Sequence, residues 1–175
     1  MRGRAPPPRG PSGGGKSTLA SLLIGLRRPD AGLLLLEGLD RATHGGPGWR
    51  SRVAAAPQFH DNHVLSGTFA FNLLMGRRWP PRPADLALAE EICEELGLGP
   101  LLERMPAGMM QIVGESGWQL SHGERSRVFL ARALLQEARL VVLDESLAAL
   151  DPDNQARALA CAFARAPTLL VIAHP

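Results

Sequence analysis

The sequence predicts an α/β fold with a parallel sheet and a helical insertion, and three observations predict it. Short apolar runs bounded by turn residues alternate with longer stretches patterned at helical spacing. A glycine-rich loop, Gly10–Gly15, leads straight into an amphipathic stretch that starts at Lys16. The apolar run Leu140–Leu143 ends in Asp144-Glu145, at the strand end where parallel sheets place ligand-binding side chains.

The elements follow in order. Met1–Arg9 is rich in Pro and Arg and supplies no central strand. Lys16–Arg27 reads as a helix with Leu19, Leu22, Leu23 and Leu26 on one stripe, stopped by Pro29. Leu33–Leu36 reads as a short buried strand, followed by turn residues and a loop through Gly45–Gly48. Arg52–Ala56 is the next strand and runs into Pro57-Gln58. Thr68–Gln111 is mostly helical, with breaks at Trp79–Pro83 and Gly97–Pro100. Ser121–Gln136 is a strong helix, Pro152–Arg165 another, and Thr168–Ala173 a final strand before His174-Pro175. No internal repeat is present.

Composition narrows the function. A chain of 175 residues with 45% hydrophobic content suits one domain with a real core. No run approaches the roughly eighteen apolar residues of a membrane span. Met1–Pro11 lacks the apolar stretch of a secretory leader, so a cytoplasmic location is expected. Cys93 and Cys161 have no partner at ligand spacing and read as small apolar residues on helix faces. A net charge of +2, carried by scattered arginines, gives no case for nucleic acid as a partner. Lys16 is the only lysine in the chain, and it sits where a compact point charge is wanted.

That place is Gly10-Pro11-Ser12-Gly13-Gly14-Gly15-Lys16-Ser17-Thr18, a full match to G-x-x-x-x-G-K-[ST]. Glycines let successive backbone N–H groups turn inward around phosphates. Lys16 adds charge at the terminal phosphates, Ser17 offers a hydroxyl to Mg²⁺, and the following helix points its positive end at the same anion. The bland alternative is a Gly/Ser turn before an unrelated helix. The motif predicts a P-loop NTPase that binds the phosphates of a nucleotide. Asp144 would then hold Mg²⁺ through water, and Glu145 would polarise the water that attacks the γ-phosphate. An apolar strand ending in Asp-Glu is common, and the upstream loop is what gives this one meaning. Leu120-Ser121-His122-Gly123-Glu124 contains an S-x-x-E capping box and so marks, at the least, a helix start.

The order of these features resembles the ATP-binding cassette of ABC transporters, from Gly10 to the end of the chain. Leu120–Glu124 resembles the family signature LSGGQ. The resemblance implies a partial nucleotide-binding domain, with a catalytic core from 10–67 and 137–175 and a helical subdomain, 68–136, between them. It implies ATP hydrolysis on the cytoplasmic face of a membrane, coupled to a transmembrane domain, fused or separate. It also implies a head-to-tail dimer in which the signature of one cassette, through Ser121 and Gly123, closes over ATP held by the other. Gln58 would touch Mg²⁺ and the attacking water, Asp151 of Ala149-Leu150-Asp151 would cross the dimer interface, and His174 would contact the γ-phosphate. Taken alone, His174 reads better as an ordinary core or surface histidine, and its place at the end of a buried strand after the acidic pair reverses that. Val113-Gly114-Glu115-Ser116-Gly117 resembles the X-loop of exporter-type cassettes, and Ser66–Asn72 resembles the exporter segment that meets coupling helices of the membrane domain.

The sequence also departs from the family. His122 and Glu124 stand where the signature has glycine and glutamine, so bulk and negative charge are expected to slow the site this signature completes. No apolar strand or adenine-stacking aromatic precedes the loop, and the chain stops one residue after His174. A fragment incomplete at both ends is therefore expected, marginal in stability and weak in ATP binding when alone. The rival readings are a regulatory or decayed cassette that does not hydrolyse ATP, and a soluble ABC ATPase unconnected with transport. The DNA-repair type of the latter carries a long coiled coil between loop and signature, and no sustained heptads appear here.

Overall fold

A computed structural model describes residues 15–56 and 63–172 of the chain. It opens with α1 (Lys16–Leu23), which ends where Gly25 takes φ 80°. The helix is therefore shorter than its leucine pattern predicts. Its buried face is Ala20 with Leu23 and Ile24 beside it, whereas Leu19 and Leu26 are 40% and 77% exposed.

The four-leucine run departs further from expectation. Only Leu35–Leu36 (β1) is extended, and it pairs antiparallel with Leu39–Asp40 (β2), apart from the main sheet. Glu37 and Gly38, both at positive φ (53° and 80°), make the tight turn that folds the run back on itself. Leu33 and Leu35 are consequently exposed. The expected loop at Gly45–Gly48 lies inside a kinked helix, α2 (Arg41–Arg50), bent at Gly45. Asp40 caps it by accepting a bond from Thr43 N at 2.7 Å, a signal masked in the sequence by the Gly/Pro cluster.

The main sheet begins with β3 (Val53–Ala56). The insertion follows: β4 (Gly67–Thr68), α3 (Phe69–Leu74), α4 (Pro83–Glu95), α5 (Gly99–Arg104), a 3₁₀ turn at Gly108–Met110 and β5 (Ile112–Val113). Then come α6 (His122–Leu135), β6 (Leu140–Asp144), α7 (Pro152–Arg165) and β7 (Thr168–Ile172). The parallel order is β3-β6-β7, with Ala56 opposite Leu143 and Asp144 opposite Ile172. Among the described residues β7 pairs on one side only.

Both faces of this sheet are covered, which is why its strands read as unbroken apolar runs. Val141 and Leu143 enter the larger core with α3, α4 and α6, while Val142 points to the smaller one with Ala20, Trp49, Val53 and Ile172. Trp49 anchors that second core, 2% exposed, with its indole N–H donating to Leu23 O at 2.8 Å. Cys93 and Cys161 are buried on α4 and α7, as their helical positions predict. Among the described residues no helix is long and apolar enough to cross a membrane.

One buried polar residue organises the start of the insertion. Asn72 is 0% exposed. Its amide donates to Leu65 O (2.9 Å) and Thr68 O (3.2 Å), and its oxygen accepts from Leu65 N (2.9 Å) and Arg132 (3.4 Å). Asn72→Leu strands the Leu65 backbone groups and should cost about 2–4 kcal/mol in urea unfolding. A loss below about 0.5 kcal/mol would show that Asn72 does not hold this segment.

Candidate functional site

The site lies at the carboxyl edge of the sheet. Asp144 ends β6, and the strand ends of β3 and β7 stand level with it through the parallel register. Glu145 follows in the left-handed region, φ 51°, with its N–H donating to Ile172 O at 2.9 Å. A non-glycine residue held there stores strain of about 1–3 kcal/mol, as functional turns commonly do. Both carboxylates are half-buried.

α1 is laid on the same strands through Ala20, which packs in one cluster with Val142 of β6 and Ile172 of β7. Gly15, at φ 74°, turns the chain into the helix, and Lys16, Ser17 and Thr18 form its first turn. This helix start has no side-chain cap and no acidic residue in its first turn. The positive dipole end of such a helix start suits an external anion. Gly10, Pro11, Ser12, Gly13, Gly14, Gln58 and His174 lie outside the described residues. β3 ends at Ala56, two residues before Gln58, and β7 at Ile172, two before His174.

A second constellation forms at the start of α6. Ser121 caps the helix: its hydroxyl accepts from Glu124 N at 3.2 Å, and Glu124 returns a carboxylate oxygen to Ser121 N at 2.8 Å. Arg104 binds the other carboxylate oxygen. The negative charge expected to disturb the signature is therefore taken up inside the chain, and the exposed His122 is the departure that faces outward. Gly123 stands close to the 149–150 segment, and a Cβ there would sit 3.8 Å from Ala149 O. Asp151 caps α7 by accepting from Asn154 N (3.0 Å) and Asn154 Nδ2 (2.6 Å), bonds that hold its carboxyl below the ordinary range. Signature and Asp151 segment are thus neighbours within one chain.

A third grouping joins the two segments that resemble parts of exporter-type cassettes. β4, from Ser66–Asn72, pairs antiparallel with β5, whose Val113 begins Val113–Gly117. Gly114, φ 95°, lets the backbones touch, since a Cβ there would lie 2.9 Å from Leu65 C and O. Gln119 folds the turn by donating to the carbonyls of Gly114 (2.7 Å) and Gly117 (3.2 Å). Arg132 of α6 reaches the same region, donating to Asn72 O at 2.8 Å and lying over Phe129, with burial pushing its guanidinium down to about 10. Sequence reasoning missed Arg104, Gln119, Arg127 and Arg132, because their partners lie at other places in the chain or on backbone atoms.

Parallel strands ending together, an acid pair at that edge and a glycine-led helix resting on it define the core of a P-loop ATPase. The ABC transporter family model matches residues 9–148, and the chain belongs to that family. It is 37% identical over 168 residues to the ABC multidrug transporter MDR2 of Trichophyton tonsurans, covering 94% of this chain and 12% of that protein. Similarity to the mycobactin import ATP-binding/permease protein IrtB of Mycolicibacterium thermoresistibile is 38% over 167 residues, or 94% of this chain and 28% of that one. A bacterial Atm1-family ABC exporter solved with ATP bound superimposes with a TM-score of 0.81 at 32% identity, over 94% of this chain and 28% of the exporter. The chain thus spans between about an eighth and about three-tenths of these relatives.

The Glu124 carboxyl titrates below its ordinary value of 4.5: burial raises it, but Ser121's N–H and hydroxyl and the Arg104 guanidinium outweigh that. Because the folded value is the lower one, the contribution is complete above the unfolded value and fades as pH falls through the folded one. Glu124→Gln should therefore be less stable than the parent at neutral pH, with the gap narrowing as the pH falls through the lowered carboxyl value of the folded state. A gap in urea unfolding that does not vary with pH would rule out this charge network.

Proposed function

We propose that this chain is the nucleotide-binding domain of an ABC transporter, and that it binds and hydrolyses ATP to power substrate movement across a membrane. The observation that carries this is the shared sheet: α1, which starts at Lys16, packs through Ala20 in one cluster with Val142 of β6 and Ile172 of β7, and β6 ends at Asp144 with Glu145 next in the chain. Residues 10–67 and 137–175 form the catalytic core in this reading, and 68–136 the helical subdomain.

Amides of Gly10–Gly15 surround the phosphates of ATP, with Lys16 neutralising charge and the α1 dipole adding to it. The residues fit a divalent ion: the Ser17 hydroxyl, the Asp144 carboxylate and Gln58 offer the hard oxygen donors Mg²⁺ prefers. When bound, Mg²⁺ supplies neutralisation of charge on the phosphate oxygens. Glu145, held in the left-handed turn that follows β6, accepts the proton of the attacking water. His174 contacts the γ-phosphate. Ser121, Gly123 and Asp151 face the nucleotide site of a second cassette, so the working unit is a head-to-tail pair. A transmembrane domain, fused or separate, docks where β4, β5 and Gly114–Gly117 meet, near the exposed Leu65, Met110 and Ile112. The domain then sits on the cytoplasmic face of the membrane. The exporter-like Ser66–Asn72 and Val113–Gly117 support export, and nucleic acid has no part in this reading.

Fluorescent-nucleotide binding and phosphate release test it. Lys16→Ala should weaken ATP binding at least about tenfold, a loss near 1.4 kcal/mol. Glu145→Gln should bind like the parent while phosphate release falls about 10²–10⁴-fold. Parent-like release by Glu145→Gln would remove Glu145 from the chemistry, and no ATP binding by the parent would sink the reading for this chain. His122→Gly alone should raise turnover as much as His122→Gly with Glu124→Gln, because the Glu124 charge is already bound by Arg104. A gain only in the double variant would contradict that.

A further inference from the structure

Arg127 lies one turn into α6, where three elements converge. Its Nε donates to Gly123 O at 3.2 Å, within the first turn of its own helix. Its Nη1 donates to Gly97 O at 2.7 Å, where the chain leaves α4, and to Asn154 Oδ1 at 3.2 Å on α7. Asn154 in turn holds Asp151 through its side-chain amide at 2.6 Å and its backbone N–H at 3.0 Å. A continuous chain of hydrogen bonds thus runs from Gly123 through Arg127 and Asn154 to Asp151. Packing supports it, since Gly123 leaves only ordinary van der Waals room for a Cβ against Ala149 O and Leu150.

From this geometry we infer that Arg127 is a positioning residue that locks the α6 start and the Asp151 cap into one rigid face. The inference deepens the reading that this face meets a second cassette, and rests on it for its functional meaning. Two flexible segments would have to be ordered separately as the pair closes. A planar guanidinium that bonds both in advance removes one of those ordering costs. Lysine cannot replace it, because one ammonium cannot span Gly123 O, Gly97 O and Asn154 Oδ1 in the arginine fork's directions.

Hydrogen exchange of the full chain tests this without nucleotide. Glu124 and Arg125 report on α6, and Asn154 and Gln155 on α7, since their amides are bonded to Ser121 and Asp151. Asn154→Leu should speed exchange severalfold at Glu124 and Arg125, which it does not touch, while β6 amides keep the parent rate. Arg127→Lys should loosen both pairs. An Asn154→Leu effect confined to α7 overturns the inference, as does parent-like exchange in Arg127→Lys. Failure of the parent to bind ATP would overturn the nucleotide reading alone, because the exchange result is obtained without it.

Discussion

Eight residues of α6 are buried, and its sides meet α3, α4, α7 and the strands β3 and β6. Val128, Phe129, Leu130, Ala131, Ala133, Leu134 and Leu135 are its apolar buried residues, and no other described helix buries as many. This burial constrains everything else, because a helix packed on all sides can neither slide nor rotate without opening the core. Its capped start is thereby presented at a defined place, and the arginines along it reach outward from a stationary base. Arg104 and Arg127 are joined to its first turn, and Arg132 is joined to the β4 segment. The large core stabilises the fold; the polar groups along α6 decide how its functional segments are arranged.

At the other end of the chemistry, the sheet provides alignment where α6 provides anchorage. Parallel pairing brings the ends of three strands to one edge, so residues far apart in sequence follow from neighbouring points. Glu145 takes an unfavourable backbone conformation there, held by its bond to Ile172 O and by buried Ser146 and Leu147 just beyond. Strain persists only where surrounding packing over-determines it, and this turn has a buried strand on one side and buried residues on the other.

Much of this was legible in the sequence, for physical reasons that can be traced. The S-x-x-E box located the α6 start to the residue, since capping is a local transaction between neighbours. β6 and α7 were equally plain, one as an apolar run and the other as a Pro- and Asp-led helix. Leu33–Leu36 misled, because hydrophobicity signals extension but not which partner receives it, and the Glu37-Gly38 turn sent it into a hairpin. α2 was hidden by glycine and proline that bend a helix there without ending it. The arrangement around Arg127 could not be read at all, because its contacts join positions 27 to 30 residues apart and exist only once α4, α6 and α7 have packed.

Gly114 brings two backbones to a distance that no other residue permits, in a conformation that side chains avoid. This has a consequence for how the molecule can drift over generations. Any codon change that alters the residue at position 114 introduces a side chain or a stop, so only silent changes leave this contact as it is. At Leu65 it is the main chain that Gly114 approaches, so this contact places no demand on the Leu65 side chain. The contact between the two segments is thus inherited as a backbone feature, free to change its chemistry on one side and unable to on the other.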